Sequence, residues 1–202
     1  MPRVTGPGVA APRWTTYIRL SDLRPAVRNP KAHVIGDIVT SIQTFGFTNP
    51  VLMCDRADRL AAGHGRMAAL VNMKEHGDPM PNGLVMDDDG EWCVPATRGW
   101  RTKNDAELEA YIIADNALTE AGGWNDGMLA EMLHDVHSFD PALFEATGID
   151  AERMEDLMRR WNGEDSGTGG LDLGGDDSAG EKPRPPSVTC PHCGESFTPK
   201  GT

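Results

Sequence analysis

The succession of apolar patterns along this chain of 202 residues predicts an α/β (α+β) domain with a helical extension behind it. Three observations carry that reading. Short apolar or alternating runs at residues 15 to 23, 50 to 53 and 60 to 62 read as strands. Ile35, Ile38, Val39 and Ile42 sit at i, i+3, i+4, i+7, one face of a helix. Beyond residue 104 every apolar pattern is helical.

Taken in order, residues 1 to 14 contain Pro and Gly and are expected as a flexible tail. Tyr17, Ile18, Leu20 and Leu23 then form a strand that runs into a turn. Residues 24 to 31 make a basic loop, because Pro25 and Pro30 disfavour helix in the residues before them. The first helix is expected from about residue 33 to 43, with Gly46 as its C-terminal cap. A short buried strand at 50 to 53 and a polar turn at 55 to 59 lead into Leu60, Ala61 and Ala62.

The stretch from 60 to 72 organises the rest. Three apolar residues run into Gly63, His64, Gly65 and Arg66, and Met67, Ala68, Ala69 and Leu70 then favour helix. This reads as strand, tight turn and a helix beginning at Arg66 and ending at Gly77. The first turn of such a helix leaves N–H groups unpaired at the positive end of the dipole, which suits an anion. Arg66 adds a planar fork of donors for phosphate oxygens. Two glycines at a strand-to-helix turn are also common as geometry alone.

Leu84 to Met86 and Trp92 to Val94 flank Asp87, Asp88, Asp89 and Gly90, a hairpin closed by an Asp-Gly turn. That turn accounts for the three aspartates without a cation. Asn104 and Glu107 have capping-box spacing at the start of a helix that turns Leu108, Tyr111 and Ile112 inward, reaches Asp115 and Asn116, and breaks over 118 to 123. Trp124, Asn125 and Asp126 open another helix, with Leu129, Met132, Leu133 and Val136 on one face. Met128, Met132, Met154 and Met158 are expected in packed positions, Trp124 and Trp161 as core anchors, and a last helix runs from about 150 to 161. The resulting organisation is a flexible tail at 1–14, a domain at 15–125, a helical extension at 126–162, a disordered linker of Gly, Asp, Ser and Pro at 163–186, and a terminal CxxC knuckle at 187–202.

Composition limits the function. The net charge is −12, yet residues 1 to 50 hold 6 basic and 2 acidic residues while residues 101 to 150 hold 2 and 11. A chain this acidic lacks the wide basic face that grips duplex DNA unaided, so any phosphate-binding surface is local and N-terminal. No run of eighteen apolar residues exists, and the first residues lack a signal-peptide core; the chain is expected to be cytoplasmic and to have no membrane partner. Cys54, Cys93, Cys190 and Cys193 are too few and scattered for a disulfide framework. Cys190-Pro-His-Cys193-Gly forms a zinc-knuckle turn with two thiolates, so a tetrahedral zinc needs a second pair from another chain, or from Cys54 and Cys93.

Four segments in this order, IRLSDLRPAVRNPKAH from Ile18, SIQTFGFTNPV from Ser41, GHGR from Gly63 and AYIIADNALTE from Ala110, followed by Gly123, Trp124, Asn125 and Asp126, resemble the ParB N-terminal domain of the ParB/sulfiredoxin fold. The form resembled most is the phage and mobile-element type often fused to DNA methyltransferases. The resemblance spans about residues 15 to 160. It implies a small mixed sheet with flanking helices and a site for a nucleoside triphosphate, CTP or ATP, with Mg2+. Carried over, it implies that Gly63, His64, Gly65 and Arg66 line the phosphate site. It likewise implies that Arg28, Asn29 and Lys31 close over it, and that Asp115 and Asn116 hold the metal.

The chain departs from the ParB pattern in three places. His64 and Gly65 replace a glutamate and the first of two arginines, and Thr119 replaces an arginine. Loss of the glutamate leaves His64 as the candidate base for hydrolysis. A histidine there excludes sulfiredoxin chemistry. The expectation is a nucleotide-binding module that touches DNA weakly or through a partner and forms a homodimer, acting in DNA modification, partition or packaging. The alternatives are a metal-dependent nuclease or nucleotide hydrolase with His64 as its catalytic residue, and a non-catalytic adaptor that recruits a methyltransferase or similar protein.

Overall fold

The computed structural model describes residues 12 to 161 and two short strands near the C-terminus. The chain divides into one unit reaching Asp165 and a second from Ser166. The linker expected at 163–186 and the pair Cys190 and Cys193 lie outside the described residues.

The first unit is built on a mixed sheet. Strand β1 (Trp14–Arg19) pairs antiparallel with the long strand β5 (Trp92–Trp100), whose other side takes β2 (Val51–Cys54) in parallel and the short β4 (Val85–Met86) antiparallel. Strand β3 (Arg59–Ala62) pairs antiparallel with β2, giving the order β1-β5-β2-β3. Pro95 lies opposite Tyr17 of β1, between the stretch of β5 that pairs with β4 and the stretch that pairs with β2.

Alternation along the strands builds two cores on opposite faces. Val51, Met53 and Leu60 face α1 (Ile35–Phe45) and α2 (His64–His76), where they meet Ile42, Ala69, Leu70 and Met73. Leu52, Cys54 and Ala61 face α3 (Asp105–Ala121), where Leu108 and Ile112 are buried and the Trp100 and Tyr111 rings lie 4.5 Å apart. Both faces are covered, so β2 is apolar throughout rather than alternating.

Helices α4 (Asp126–Phe139), α5 (Pro141–Glu145) and α6 (Ala151–Trp161) form the extension, with their own core of Leu129, Ala130, Leu133, Phe144 and Leu157. Among the described residues no helix is long and apolar enough to cross a membrane. In the second unit, β6 (Val188–Thr189) pairs antiparallel with β7 (Ser196–Phe197).

Several expectations are corrected. Helix α2 starts at His64, not Arg66. Helix α3 does not break at 118 but continues to Ala121, since Ala117, Leu118, Glu120 and Ala121 are good helix formers and glycine arrives only at Gly122. Helix α5 follows a short signal, the Asp140 cap with Pro141 at the first helical position. Trp124 is 67% exposed and Met128 and Met132 are each 59% exposed, because the buried stripe of α4 runs through Leu129, Ala130 and Leu133. Met154 and Met158 do pack on the extension core. The side chain of Trp161 lies outside the described residues.

Candidate anion-binding cleft

The start of α2 requires glycine twice, for different reasons. Gly63 caps the helix in the left-handed region at φ 98°, and a Cβ there would stand 2.7 Å from Val51 Cγ1. Gly65 is already in the first turn of the helix, not in the turn before it. Its glycine is required by a close approach: a Cβ would lie 2.8 Å from His33 Nδ1 and 2.9 Å from Ile38 Cδ1. Met67 N–H is the first to find an acceptor within the helix, donating to the Gly63 carbonyl at 2.9 Å. The amides of His64, Gly65 and Arg66 therefore come before the first intrahelical donor and sit at the positive end of the dipole.

The 24–31 loop is tied down beside this turn. Leu60 N–H donates to the Arg24 carbonyl at 2.8 Å, and Arg59 Nη1 to the Pro25 carbonyl at 2.9 Å. Ala26 N–H donates to His64 Nε2 at 3.1 Å. Asn29 Oδ1 accepts from the Lys31 amide at 3.2 Å, a local turn that fixes the end of the loop. Helix α3 supplies the opposite wall with Asp115 and Asn116. Asn116 Nδ2 donates to the Ile112 carbonyl one turn back at 2.8 Å, which leaves its oxygen free of that bond, and Tyr111 Oη reaches Asp115 at 3.4 Å.

These three elements enclose a cavity of about 250 Å³ that brings Asn29, Gly63, His64, Gly65, Arg66, Asp115 and Asn116 together, with His33 as an added member. A second cavity of about 620 Å³ adjoins it, sharing Ile38 and Arg66 and continuing past Ser41, Phe45, Phe47, Asn49 and Thr147. Arg66 stands between the two. Its Nη1 donates to the Asn49 carbonyl and its guanidinium lies 5.8 Å from the centre of the Phe47 ring. Burial lowers its pKa and the Asp115 carboxylate opposes that shift, so a bound anion would meet a cation already partly stripped of water.

The geometry gives other residues different tasks. His64, the expected base, has Nε2 occupied by the Ala26 amide, and burial followed by the neighbouring His33 lowers its pKa. The lone pair a base would use instead holds the loop. Arg28 does not line the cavity: its side chain is 78% exposed and pairs with Glu109 on α3 at 3.3 Å. Lys31 pairs with Glu120 and also stays outside the lining. Cys54 and Cys93 cannot jointly complete a zinc site, because Cys54 sits beside Trp100 at one end of β5 and Cys93 near the other, on the order of 20 Å apart at ~3.3 Å per residue. Among the described residues no set of three His, Cys, Asp or Glu is placed to hold a metal. Asp87 and Asp89 are engaged by Arg19, and Asp87 caps its own turn, as an Asp-Gly hairpin tip explains.

His33 stands where the first helix is expected to open; what brings it into the cavity is the missing side chain at Gly65, a contact between residues distant in the chain.

No family model matches the chain. The fold is similar to that of the C-terminally truncated chromosome-partitioning protein ParB from Caulobacter crescentus complexed with CTP-gamma-S, with a TM-score of 0.50 and 16% identity, covering 72% of this chain and 77% of that one. At that identity the likeness is one of fold. In sequence, the chain is 37% identical over 67 residues to the ParB-like nuclease domain-containing protein YnaK of Escherichia coli (strain K12), a match that takes in 32% of this chain and 76% of the relative. With the mixed sheet, the glycine turn and the cleft in place, that identity over three quarters of the relative means that the chain belongs to the ParB-like nuclease domain family.

Proposed function

We propose that this protein binds a nucleoside triphosphate, CTP or ATP, with its phosphates at the start of α2 and its nucleoside in the adjoining larger cavity, and that it serves a DNA transaction in the cytoplasm. The observation that carries the reading is the convergence of the α2 N-terminus, Arg66 and the Asp115–Asn116 pair on one cavity that opens past Arg66 into a second. The structurally similar Caulobacter ParB was solved with a CTP analogue, which supports the choice of ligand class.

Arg28 and Lys31 remain candidates to close over the phosphates. Their pairs with Glu109 and Glu120 are exposed, and such pairs contribute about 0–1 kcal/mol, so a polyphosphate can replace the carboxylates at little cost. The donors at Asp115 and Asn116 fit Mg2+: a carboxylate and an amide oxygen, with phosphate oxygens and water to complete the shell. Bound there, the ion would neutralise phosphate charge that otherwise faces Asp115.

The occupied nitrogen of His64 favours binding over hydrolysis or strand cleavage. A role for the phage or mobile-element type in modification, partition or packaging, DNA contact through the basic N-terminal third, homodimer formation and a methyltransferase partner belong to the same reading. So does zinc at Cys190 and Cys193, for which zinc content per chain is the direct measure.

Calorimetry with CTP, ATP and GTP, with and without Mg2+, tests the central claim. Saturable binding of at least one nucleotide is expected, and Arg66→Ala should abolish it. No heat with any of the three removes the nucleotide.

A further inference from the structure

His33 is a polar member of the cleft outside the set of residues expected to bind there. It reaches the cavity from the segment between the basic loop and α1, and as a whole it is exposed, so its ring is open to a ligand while one edge rests against Gly65. The contact is close enough that an alanine at 65 would drive its Cβ to 2.8 Å from Nδ1 and 2.9 Å from Cγ of the ring, far inside ordinary contact.

We propose that His33 is an anion-contacting residue whose imidazole, seated over Gly65, donates a hydrogen bond to the phosphate held at the start of α2. This rests on the reading of the cleft as a phosphate site and names a further residue that binds there. The physical case has three parts. The ring lies over the first turn of α2, so an anion drawn to the amides of Gly65 and Arg66 arrives within reach of an imidazole nitrogen. In either tautomer one nitrogen of a neutral imidazole donates, so the contact needs no protonation. Partial desolvation, and then Lys31, lower the pKa of the ring, which favours a neutral donor that does not repel Arg66.

Gly65 follows from the same arrangement. Inside a helix glycine is disfavoured by about 1 kcal/mol relative to alanine, so alanine at this helical position would be expected to stabilise α2 unless the space above it is needed. His33 fills that space together with the Ile38 Cδ1 methyl. His33 and Gly65 should therefore behave as one unit.

The test uses the full chain, with inorganic pyrophosphate and the tightest nucleotide as probes. Ring 15N resonances, assigned by their loss in His33→Gln, are followed during titration. A shift of the His33 nitrogens that saturates with pyrophosphate is expected, with affinity falling about tenfold in His33→Ala and recovering in part in His33→Gln, which keeps a donor. Gly65→Ala should weaken binding to a similar degree, and the double variant His33→Ala/Gly65→Ala should be no weaker than either single one while melting higher than Gly65→Ala alone. Unmoved His33 nitrogens with pyrophosphate, or His33→Ala binding as tightly as wild type, would overturn the assignment. If pyrophosphate moves His33 but no nucleotide binds, His33 stands and the nucleotide reading falls. If a nucleotide binds and His33→Ala is silent, the reverse holds.

Discussion

The Nε2 atom of His64 accepts the backbone N–H of Ala26 at 3.1 Å, joining the first residue of α2 to a loop 38 residues earlier in the chain. The bond requires an unprotonated Nε2, so this tie to the loop that carries Asn29 is present only while His64 is neutral.

That requirement makes stability depend on pH. Burial, and then His33, depress the pKa of His64 in the folded protein, so the unfolded chain takes up a proton at a higher pH than the folded one. The stabilisation is complete above the unfolded value of about 6.5 and is lost as pH falls from there through the folded value. His33 is depressed as well and acts in the same direction. Thermal melts between pH 8 and pH 5 should show the midpoint falling on the acid side. In His64→Gln, which has no proton to take up, that fall should be smaller. At pH 8, His64→Ala leaves the Ala26 amide without its partner and should cost about 1–2 kcal/mol, or about 2–8 °C in midpoint for a chain of this size. A melting midpoint that ignores pH in wild type and variant alike would contradict this account.

Gly63 and Gly77 cap the two ends of α2, both in the left-handed region, at φ 98° and 76°. Only Gly63 is crowded: a Cβ there meets Val51 Cγ1 at 2.7 Å and Arg66 Nη2 at 3.3 Å, while nothing lies within 4 Å of a Cβ at Gly77. Gly77→Ala should cost about 1 kcal/mol, the backbone penalty alone. Gly63→Ala adds the clash with a fully buried side chain and should cost about 2–4 kcal/mol. Urea unfolding of the pair separates the two contributions; equal losses would mean that the Val51 contact is not as close as it stands.

Much of this fold was legible because the local signals agree with the tertiary ones. The i, i+3, i+4, i+7 pattern of α1, the Asp-Gly tip between β4 and β5 and the Asn104 cap, whose Oδ1 accepts the Glu107 amide at 2.9 Å, each settle an element without help from elsewhere. The convergence of Gly63, Arg66, Asn29 and Asn116 was legible only through resemblance, since no periodicity joins segments so far apart. What could not be read were contacts that depend on a neighbour in space. Leu118 is 74% exposed on a helix that simply continues, Trp124 opens α4 facing water, and the ring of His33 is held by an absent side chain at 65. The pairing of Arg28 with Glu109 has the same origin, because their nearness is a product of the fold.

The extension has a core of its own, and that predicts local unfolding. Leu133 is 4% exposed among Leu129, Phe144 and Leu157, none of which belongs to the core beneath the sheet. Leu133→Ala should cost about 2–5 kcal/mol within this cluster. Native-state hydrogen exchange should then show faster exchange across α4 and α6, with β2 and α2 little changed, because opening can be confined to one cooperative unit. Uniform acceleration throughout the first unit would show instead that the extension and the sheet unfold together.

Asn116 offers a way to test the proposed metal apart from the proposed nucleotide. Its amide nitrogen is committed to the Ile112 carbonyl, so the side chain presents oxygen, and Asp115 beside it brings a carboxylate to the same cavity. Without magnesium, Asp115 would repel a polyphosphate; a bound ion would be held by the two oxygens and offset that repulsion. Asn116→Ala should therefore remove most of the gain in nucleotide affinity that magnesium brings while leaving metal-free binding within about threefold of wild type. Asp115→Asn should raise metal-free affinity, because the repelling charge is gone, and lower the response to magnesium. Titrations of both variants with and without the ion measure the two effects separately. If Asn116→Ala weakens binding equally in both conditions, the residue touches the nucleotide directly and the ion is held elsewhere.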